Sequence, residues 1–147
     1  MLLFKIINKK TQKFKYFLEM NRSQDWIEEA RRELEAAKDL YNTNHNAWAC
    51  FTCHQVVEKS LKGILEIFKN SIFGHNLVNL IKNVKKFVNV PKKIEDACFI
   101  LNRYYIPTRY PDAYPSGVPA EMYNDSDASQ ALKLAEEVYN FARRFAK

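Results

Sequence analysis

The chain has 147 residues, the size of one ordinary domain, which is long enough to bury a core without a disulfide or a structural metal. With 47% hydrophobic and 27% charged residues, it is too apolar to be a disordered protein. It contains only three glycines, and they lie far apart, which excludes a glycine-rich phosphate loop.

The net charge of +6 is distributed unevenly along the chain. Residues 1–19 contain five lysines and one glutamate, a net charge of +4, while the rest of the chain is close to neutral. We therefore predict a basic N-terminal extension over residues 1–19 that need not belong to the fold, and one domain over residues 20–147. Met20 is an alternative start to Met1. Nucleic-acid binding through the basic extension stays open at this point.

The sequence predicts a cytoplasmic protein that does not enter a membrane. The apolar run at residues 1–7 is interrupted by Lys5, is shorter than a signal-peptide core and is followed by no small-residue cleavage site. The three cysteines are an odd number, which favours reduced thiols over a disulfide framework.

Apolar residues that recur every three or four positions predict five helices. These helices span about 21–41, 46–68, 77–88, 91–105 and 125–146. The first half of the second helix is apolar on nearly all sides, so we expect other helices to surround it. Asn21 and Gln24 have the spacing of a capping box for the first helix, and the residues from Asp125 to Asp127 are typical of a helix cap.

Four prolines, at every fourth position from Pro107 to Pro119, separate the last two helices. Proline at this density excludes regular helix, so residues 106–124 are predicted to form a long loop. The loop is rich in tyrosine, which is typical of ordered segments. The predicted fold is all-α: an antiparallel up-and-down bundle of four to five helices with one long loop rich in proline and tyrosine.

The string Cys50-Phe51-Thr52-Cys53-His54 has the form of a haem attachment motif. It lies in the middle of the most apolar helix, and the chain shows no export signal, so we interpret its cysteines as core residues. Neither this string nor the isolated third cysteine has the paired spacing of a zinc site. We predict no metal site and no cofactor.

Gln55, Glu58, Lys59 and Lys62 lie three and four positions apart and therefore share one face of the second helix. Two interpretations are open. The face is either solvated, with an ion pair between Glu58 and Lys62, or a polar stripe beside a cleft.

The segment from Arg103 to Asp112 carries the most chemical information. The guanidinium of Arg109 suits a phosphate or a carboxylate, and Tyr105 and Tyr110 offer rings on which a base can stack. These residues could hold a nucleotide. Alternatively, Arg109 forms an ion pair with Asp112, and the tyrosines tie the loop to the bundle.

Several of these pieces together resemble the HEPN family of small helical domains, over about residues 20–147. In chain order, the pieces are Met20-Asn21-Arg22 with Asp25-Trp26, Ala36-Ala37-Lys38-Asp39-Leu40, Gln55-Val56-Val57-Glu58-Lys59-Ser60-Leu61-Lys62, His75-Asn76-Leu77, Tyr104-Tyr105, Arg109-Tyr110-Pro111-Asp112 and an alanine-rich last helix. The resemblance implies an antiparallel bundle of four or five helices, commonly a homodimer. It also implies a nucleotide-binding role and frequent pairing with a separately encoded minimal nucleotidyltransferase, often as a toxin–antitoxin couple.

Many HEPN proteins are metal-independent ribonucleases that carry an arginine, four to six intervening residues and then a histidine. No arginine stands five to seven positions before His45, His54 or His75. The sequence lacks that motif and resembles the branch of the family that carries Arg-Tyr-Pro-Asp.

The predicted function is therefore a non-catalytic module that binds a nucleotide, a minimal nucleotidyltransferase partner, or both. The alternative is a metal-independent RNA-cleaving toxin that uses a different residue set, such as Arg109 with His75. The candidate ligand-binding residues are Arg109, Tyr110, Asp112, Tyr105, Gln55, Lys59, Lys62 and His75.

Overall fold

The computed structural model describes residues 2, 6, 8–12 and 21–146. Within 21–146 there are five α-helices and no strand: α1 (Ser23–Asn42), α2 (Asn46–Ile67), α3 (Leu77–Val84), α4 (Lys92–Leu101) and α5 (Asp125–Arg143). The predicted all-α helical bundle is confirmed. Of the predicted basic extension only residues 2, 6 and 8–12 are described, and these are helical; the alternative start at Met20 lies outside the described residues.

The central position predicted for the second helix is confirmed, because α2 packs against α1, α3, α4 and α5. Its side chains are buried on several sides; Cys50, Val57, Leu61 and Ile64 are all fully buried. Trp48 departs from the expected pattern, since half of it is exposed.

The helices α1 and α2 approach each other closely near Gly63. The hydroxyl of Ser23 donates a hydrogen bond of 2.7 Å to the backbone oxygen of Gly63, and Ser23 is buried. A Cβ atom at Gly63 would lie only 2.7 Å from the end of the Ile27 side chain. Glycine therefore allows this crossing, although it is a poor helix former.

Two helix starts differ from the predicted caps. The N-cap of α5 is Asn124, whose side chain accepts from the backbone of Asp127, while Asp127 accepts from the backbone of Asn124 in return. In α1, Asn21 accepts from the backbone N–H of Ser23 rather than pairing with Gln24. Both starts therefore use asparagine side chains to accept from free N–H groups of the first turn, but not in the pairs that the sequence predicted.

Two helices end earlier than predicted. Residues 85–88 continue α3 only as turns. The helix α4 ends at Leu101, and the side-chain oxygen of Asn102 accepts a 2.8 Å hydrogen bond from the backbone of Leu77, the first residue of α3. This hydrogen bond joins the end of α4 to the start of α3, and Tyr105 lies in the turn that follows.

The long loop over 106–124 is present and contains two short 3₁₀ turns, at Pro111–Ala113 and Pro119–Glu121. The hydroxyls of Tyr114 and Tyr123 lie 2.6 Å apart, so the tyrosines join distant parts of the loop to each other.

The three cysteines are buried free thiols, and burial raises the pKa of Cys50 and of Cys98 to about 12. This pKa keeps the thiols protonated, which matches core residues rather than nucleophiles. In the described part of the chain, no group of histidine, cysteine and carboxylate side chains is arranged to hold a metal ion. No helix among the described residues is long and apolar enough to cross a membrane.

Candidate functional site

The ring of Tyr105 is the centre of a cluster that joins three segments of the chain. It stacks against His75, with ring centroids 4.6 Å apart, and against His54 of α2, with centroids 5.1 Å apart. The guanidinium carbon of Arg109 lies 4.6 Å from the centroid of the same ring. The turn after α4 therefore brings together side chains that are far apart in the sequence.

Behind this cluster, α2 contributes a buried carboxylate. Glu58 is only 4% exposed, and its two oxygens have different partners. One lies 2.6 Å from Nδ1 of His75, and the other accepts from Nζ of Lys62 at 3.2 Å. A carboxylate can only accept, so Nδ1 of His75 carries the hydrogen. The Nε2 atom of His75, whose side chain is half exposed, has no hydrogen-bond partner in the described part of the chain.

His54 is fully buried and connects α2 to the loop before α3. Its Nε2 donates to the backbone oxygen of His75 at 3.0 Å, and its Nδ1 accepts from the side chain of Gln55 at 3.2 Å. Burial lowers the pKa of His54 to about 4, although the nearby Glu58 acts in the opposite direction. At neutral pH this imidazole is therefore uncharged, and it positions the backbone of His75.

Arg109 is fixed in place, yet it lacks a counter-charge. Its Nε donates to the backbone oxygen of Tyr105 at 2.9 Å. The guanidinium carbon lies 4.0 Å from the ring centroid of Phe51 and 5.2 Å from that of Tyr110. Among the residues that the structure describes, no carboxylate pairs with Arg109 and its terminal nitrogens have no hydrogen-bond partner. The alternative ion pair with Asp112 is not formed, and Asp112 is exposed.

An open depression of about 400 Å³ lies beside this cluster, between the start of α3 and the turn after α4. Among the described residues, no aspartate or glutamate lines it. Its lining residues are His75, Asn76, Asn102, Arg103, Tyr105, Ile106 and Pro107.

The structure brings five of the eight predicted site residues together, and a sixth joins them indirectly. The five are Gln55, His75, Tyr105, Arg109 and Tyr110. Lys62 reaches the cluster through its ion pair with Glu58.

The other two predicted residues, Lys59 and Asp112, lie apart from the cluster. Lys59 forms an ion pair with Glu33 of α1 and lies 3.8 Å from Glu29, so it serves the contact between two helices. The polar face of α2 is thus divided: one part packs against α1, and the other borders the cluster.

Sequence reasoning missed the roles of Phe51 and His54, and for Glu58 it offered the ion pair with Lys62, which is formed, but not the contact with His75. Phe51, His54 and Glu58, together with Gln55, recur at three and four residues and therefore form one stripe along α2. The stripe was visible in the sequence, but the apolar residues and cysteines around it indicated a uniform core. Only the turn after α4 shows which side of α2 faces Tyr105.

Comparison with known proteins supports the resemblance noted in the sequence. The family model described as HEPN domain matches residues 23–145. The protein named "Putative toxin MJ1304", from Methanocaldococcus jannaschii, is 33% identical over 136 residues, which cover 83% of this chain and 86% of the relative.

Two solved structures are also similar to this chain. The crystal structure of TT1696 from Thermus thermophilus has 38% sequence identity and a TM-score of 0.82, and the match covers 86% of this chain and 99% of that one. The structure of ST0689, described as an archaeal HEPN homologue, has 33% identity and a TM-score of 0.73, with 87% and 100% coverage.

The depressed pKa of His54 predicts that the protein loses stability in mild acid. Above the ordinary histidine pKa of 6.5 the imidazole is neutral in both states, and the folded state is at full stability. As the pH falls toward 4, His54 is protonated in the unfolded chain but stays neutral in the folded protein. The free energy of unfolding therefore decreases by about 2 to 3 kcal/mol between pH 7.5 and 4.5.

Urea unfolding at the two pH values measures this loss. The variant His54→Gln keeps a donor for the backbone of His75 but cannot titrate. Between the two pH values its free energy of unfolding should therefore decrease by about 2 to 3 kcal/mol less than that of the wild type. An equal acid loss in the wild type and in His54→Gln would contradict the assignment.

Proposed function

This chain belongs to the HEPN family, and we propose that it binds a nucleotide, with Arg109 on a phosphate and the base against the rings around Tyr105. The observation that carries the proposal is that Arg109 is held in place but has no counter-charge among the described residues. Its Nε is held by the backbone of Tyr105, while its terminal nitrogens have no partner among the described residues. A guanidinium positioned in this way can bind a phosphate through two parallel hydrogen bonds.

The surroundings of Arg109 suit the other parts of a nucleotide. Tyr110 is 47% exposed and lies against the guanidinium, so it offers a ring face on which a base can stack. The Nε2 atom of His75 is a second polar group on the same Tyr105 ring, and its lone pair can accept a hydrogen bond from a ribose hydroxyl. The site therefore combines a charge, a stacking surface and a polar contact, without a glycine-rich loop.

Nucleotide binding is tested by isothermal titration with AMP and ATP. We expect the wild type to bind, and Arg109→Gln to bind at least tenfold more weakly, because a charge-assisted contact is worth about 1.5 to 3 kcal/mol. The control Arg32→Gln removes the same charge from the exposed face of α1 and should bind as the wild type does. Absence of heat with both nucleotides, or unchanged binding by Arg109→Gln, would overturn the proposal.

We extend the proposal to a protein partner, a minimal nucleotidyltransferase with which this chain would form a toxin–antitoxin-like pair. The name of the Methanocaldococcus jannaschii relative supports the toxin side of such a pair. Exposed aromatic side chains at the edge of the site support a docking surface: Trp48 is 51% exposed, and it contacts the ring of Phe51, on which Arg109 lies.

Co-expression with a minimal nucleotidyltransferase encoded next to this gene tests the partner. A tagged form of this chain should recover the enzyme, and Trp48→Ala should reduce the recovery, because large aromatic residues dominate protein interfaces. Phe73→Ala is the control, since Phe73 is 94% exposed and lies in the loop between α2 and α3, whereas Trp48 lies on α2. If the nucleotidyltransferase is not recovered by the wild type, the partner proposal fails while nucleotide binding is unaffected.

A second candidate function is metal-independent RNA cleavage, and the contact between His75 and Glu58 favours it. The buried carboxylate holds the hydrogen on Nδ1, so the lone pair of Nε2 is free to act as a general base. It would take the proton of a ribose 2′-hydroxyl while the 2′-oxygen bonds to the adjacent phosphorus and the bond from phosphorus to the 5′-oxygen breaks. The 5′-oxygen takes a proton from water, and Arg109 stabilises the charge on the phosphate.

Cleavage is measured by incubating the protein with total RNA in EDTA and identifying the fragment ends. The wild type should leave 2′,3′-cyclic phosphates, and His75→Gln should reduce the rate by about 100-fold or more. The control His45→Gln replaces an exposed histidine in the turn between α1 and α2 and should retain the activity. Intact RNA with the wild type would exclude this function and leave the binding module.

A further inference from the structure

We infer that Asn102 and Arg103 form a second phosphate subsite in the depression beside His75, and that the ligand is therefore a phosphodiester strand rather than a single nucleotide. This inference rests on the proposed function, because it takes Arg109 as the first phosphate site. It assigns a role to two residues that the sequence analysis did not select.

The depression presents hydrogen-bond donors, and the orientation of its two asparagines is settled by the backbone. The Oδ1 atom of Asn102 accepts from the N–H of Leu77 at 2.8 Å, and that of Asn76 accepts from the N–H of Asn79 at 3.0 Å. Both amide oxygens are therefore occupied, and the free part of each side chain is its NH₂ group. Two such groups in one depression favour an anionic ligand.

Arg103 adds a positive charge that nothing in the described part of the chain neutralises. It is exposed and forms no ion pair there, whereas Arg22 and Arg31 are each paired with carboxylates on α1. Because none of the described residues that line the depression is a carboxylate, an entering phosphate would meet donors and neutral groups from them. Arg103 and Arg109 therefore lie on either side of Tyr105 in the sequence, and neither has a counter-charge among the described residues.

Tyr105 connects the two subsites in space as well. Its ring contacts the guanidinium of Arg109 and also lines the depression that holds Arg103. Ile106, which is 48% exposed, and Pro107 supply an apolar wall next to it. In a strand, each nucleoside lies between two phosphates. A nucleoside packed against Tyr105 and this wall would place one phosphate toward each arginine.

The larger depression of the surface, of about 510 Å³, does not compete for such a ligand. It is lined by Asp25, Glu29 and Glu66, with Arg22 already paired to Asp25. Three carboxylates around one opening repel a phosphodiester strand. The charge distribution therefore favours the depression beside Tyr105 over this larger one.

The test compares a fluorescein-labelled 2′-O-methyl RNA hexanucleotide, which cannot be cleaved at its 2′ positions, with AMP. Fluorescence anisotropy should show that Arg103→Gln weakens hexanucleotide binding about tenfold. Log affinity falls as log salt rises, and in the same variant this negative slope should become shallower by about 0.7, as expected for one lost phosphate contact on a single strand. In calorimetry the affinity of Arg103→Gln for AMP should be unchanged. In contrast, Arg109→Gln should bind both ligands more weakly, and Arg32→Gln should bind both as the wild type does.

The outcomes separate this inference from the function on which it rests. If Arg103→Gln binds the hexanucleotide as tightly as the wild type, the second subsite is wrong and nucleotide binding stands. If the variant loses as much affinity for ATP as for the hexanucleotide, the ligand is a polyphosphate and the strand is wrong. If neither the hexanucleotide nor AMP binds to the wild type, the proposed function fails, and the inference fails with it.

Discussion

The carboxylate of Glu58 lies inside the protein, and the arrangement of the site depends on it. A buried charge costs several kcal/mol unless it is paired and hydrogen-bonded. Here Lys62 of the same helix and His75 of a distant loop each satisfy one oxygen. The pairing with Lys62 is local, because the two residues are four positions apart on α2. The pairing with His75 is not local, and it holds the loop before α3 against the central helix.

Once that loop is in place, the remaining contacts of the site reinforce one another. The neutral imidazole of His54 holds the backbone of His75, and Tyr105 stacks on both rings. The backbone oxygen of Tyr105 then holds Arg109, whose guanidinium lies on the ring of Phe51. A rigid set of this kind presents a charge at a defined position and loses little conformational entropy on binding.

The charged side chains of α1 differ from the arginines of the site in how they are paired. Along α1 the arginines and glutamates neutralise each other in exposed ion pairs, which contribute little to stability. The turn after α4 and the loop that follows carry Arg103 and Arg109 without such partners in the described residues. The overall charge of +6, which comes mainly from residues 1–19, is therefore a poor guide to where an anion would bind.

The sequence by itself determined the class of the fold, the number of helices in the domain, the central place of α2 and the long proline-rich loop. These features follow from the period of the apolar residues and from proline, and both act locally. It also selected Tyr105 and Arg109, whose chemistry is conspicuous in one short segment, and His75, which lies in one of the pieces that resemble the HEPN family. What only the tertiary structure decided is which side chains meet. Asn102, just after α4, accepts from the first residue of α3, a contact across 25 residues, and the turn that follows brings Tyr105 to His54 and His75. The same packing gave Lys59 and Lys62 different partners, because Glu33 of α1 lies opposite Lys59, whereas Lys62 pairs with Glu58 of its own helix. Arg109 and Asp112 are close in the sequence but do not pair, because the partner of a charged side chain depends on how the chain packs around it as well as on its neighbours in the sequence.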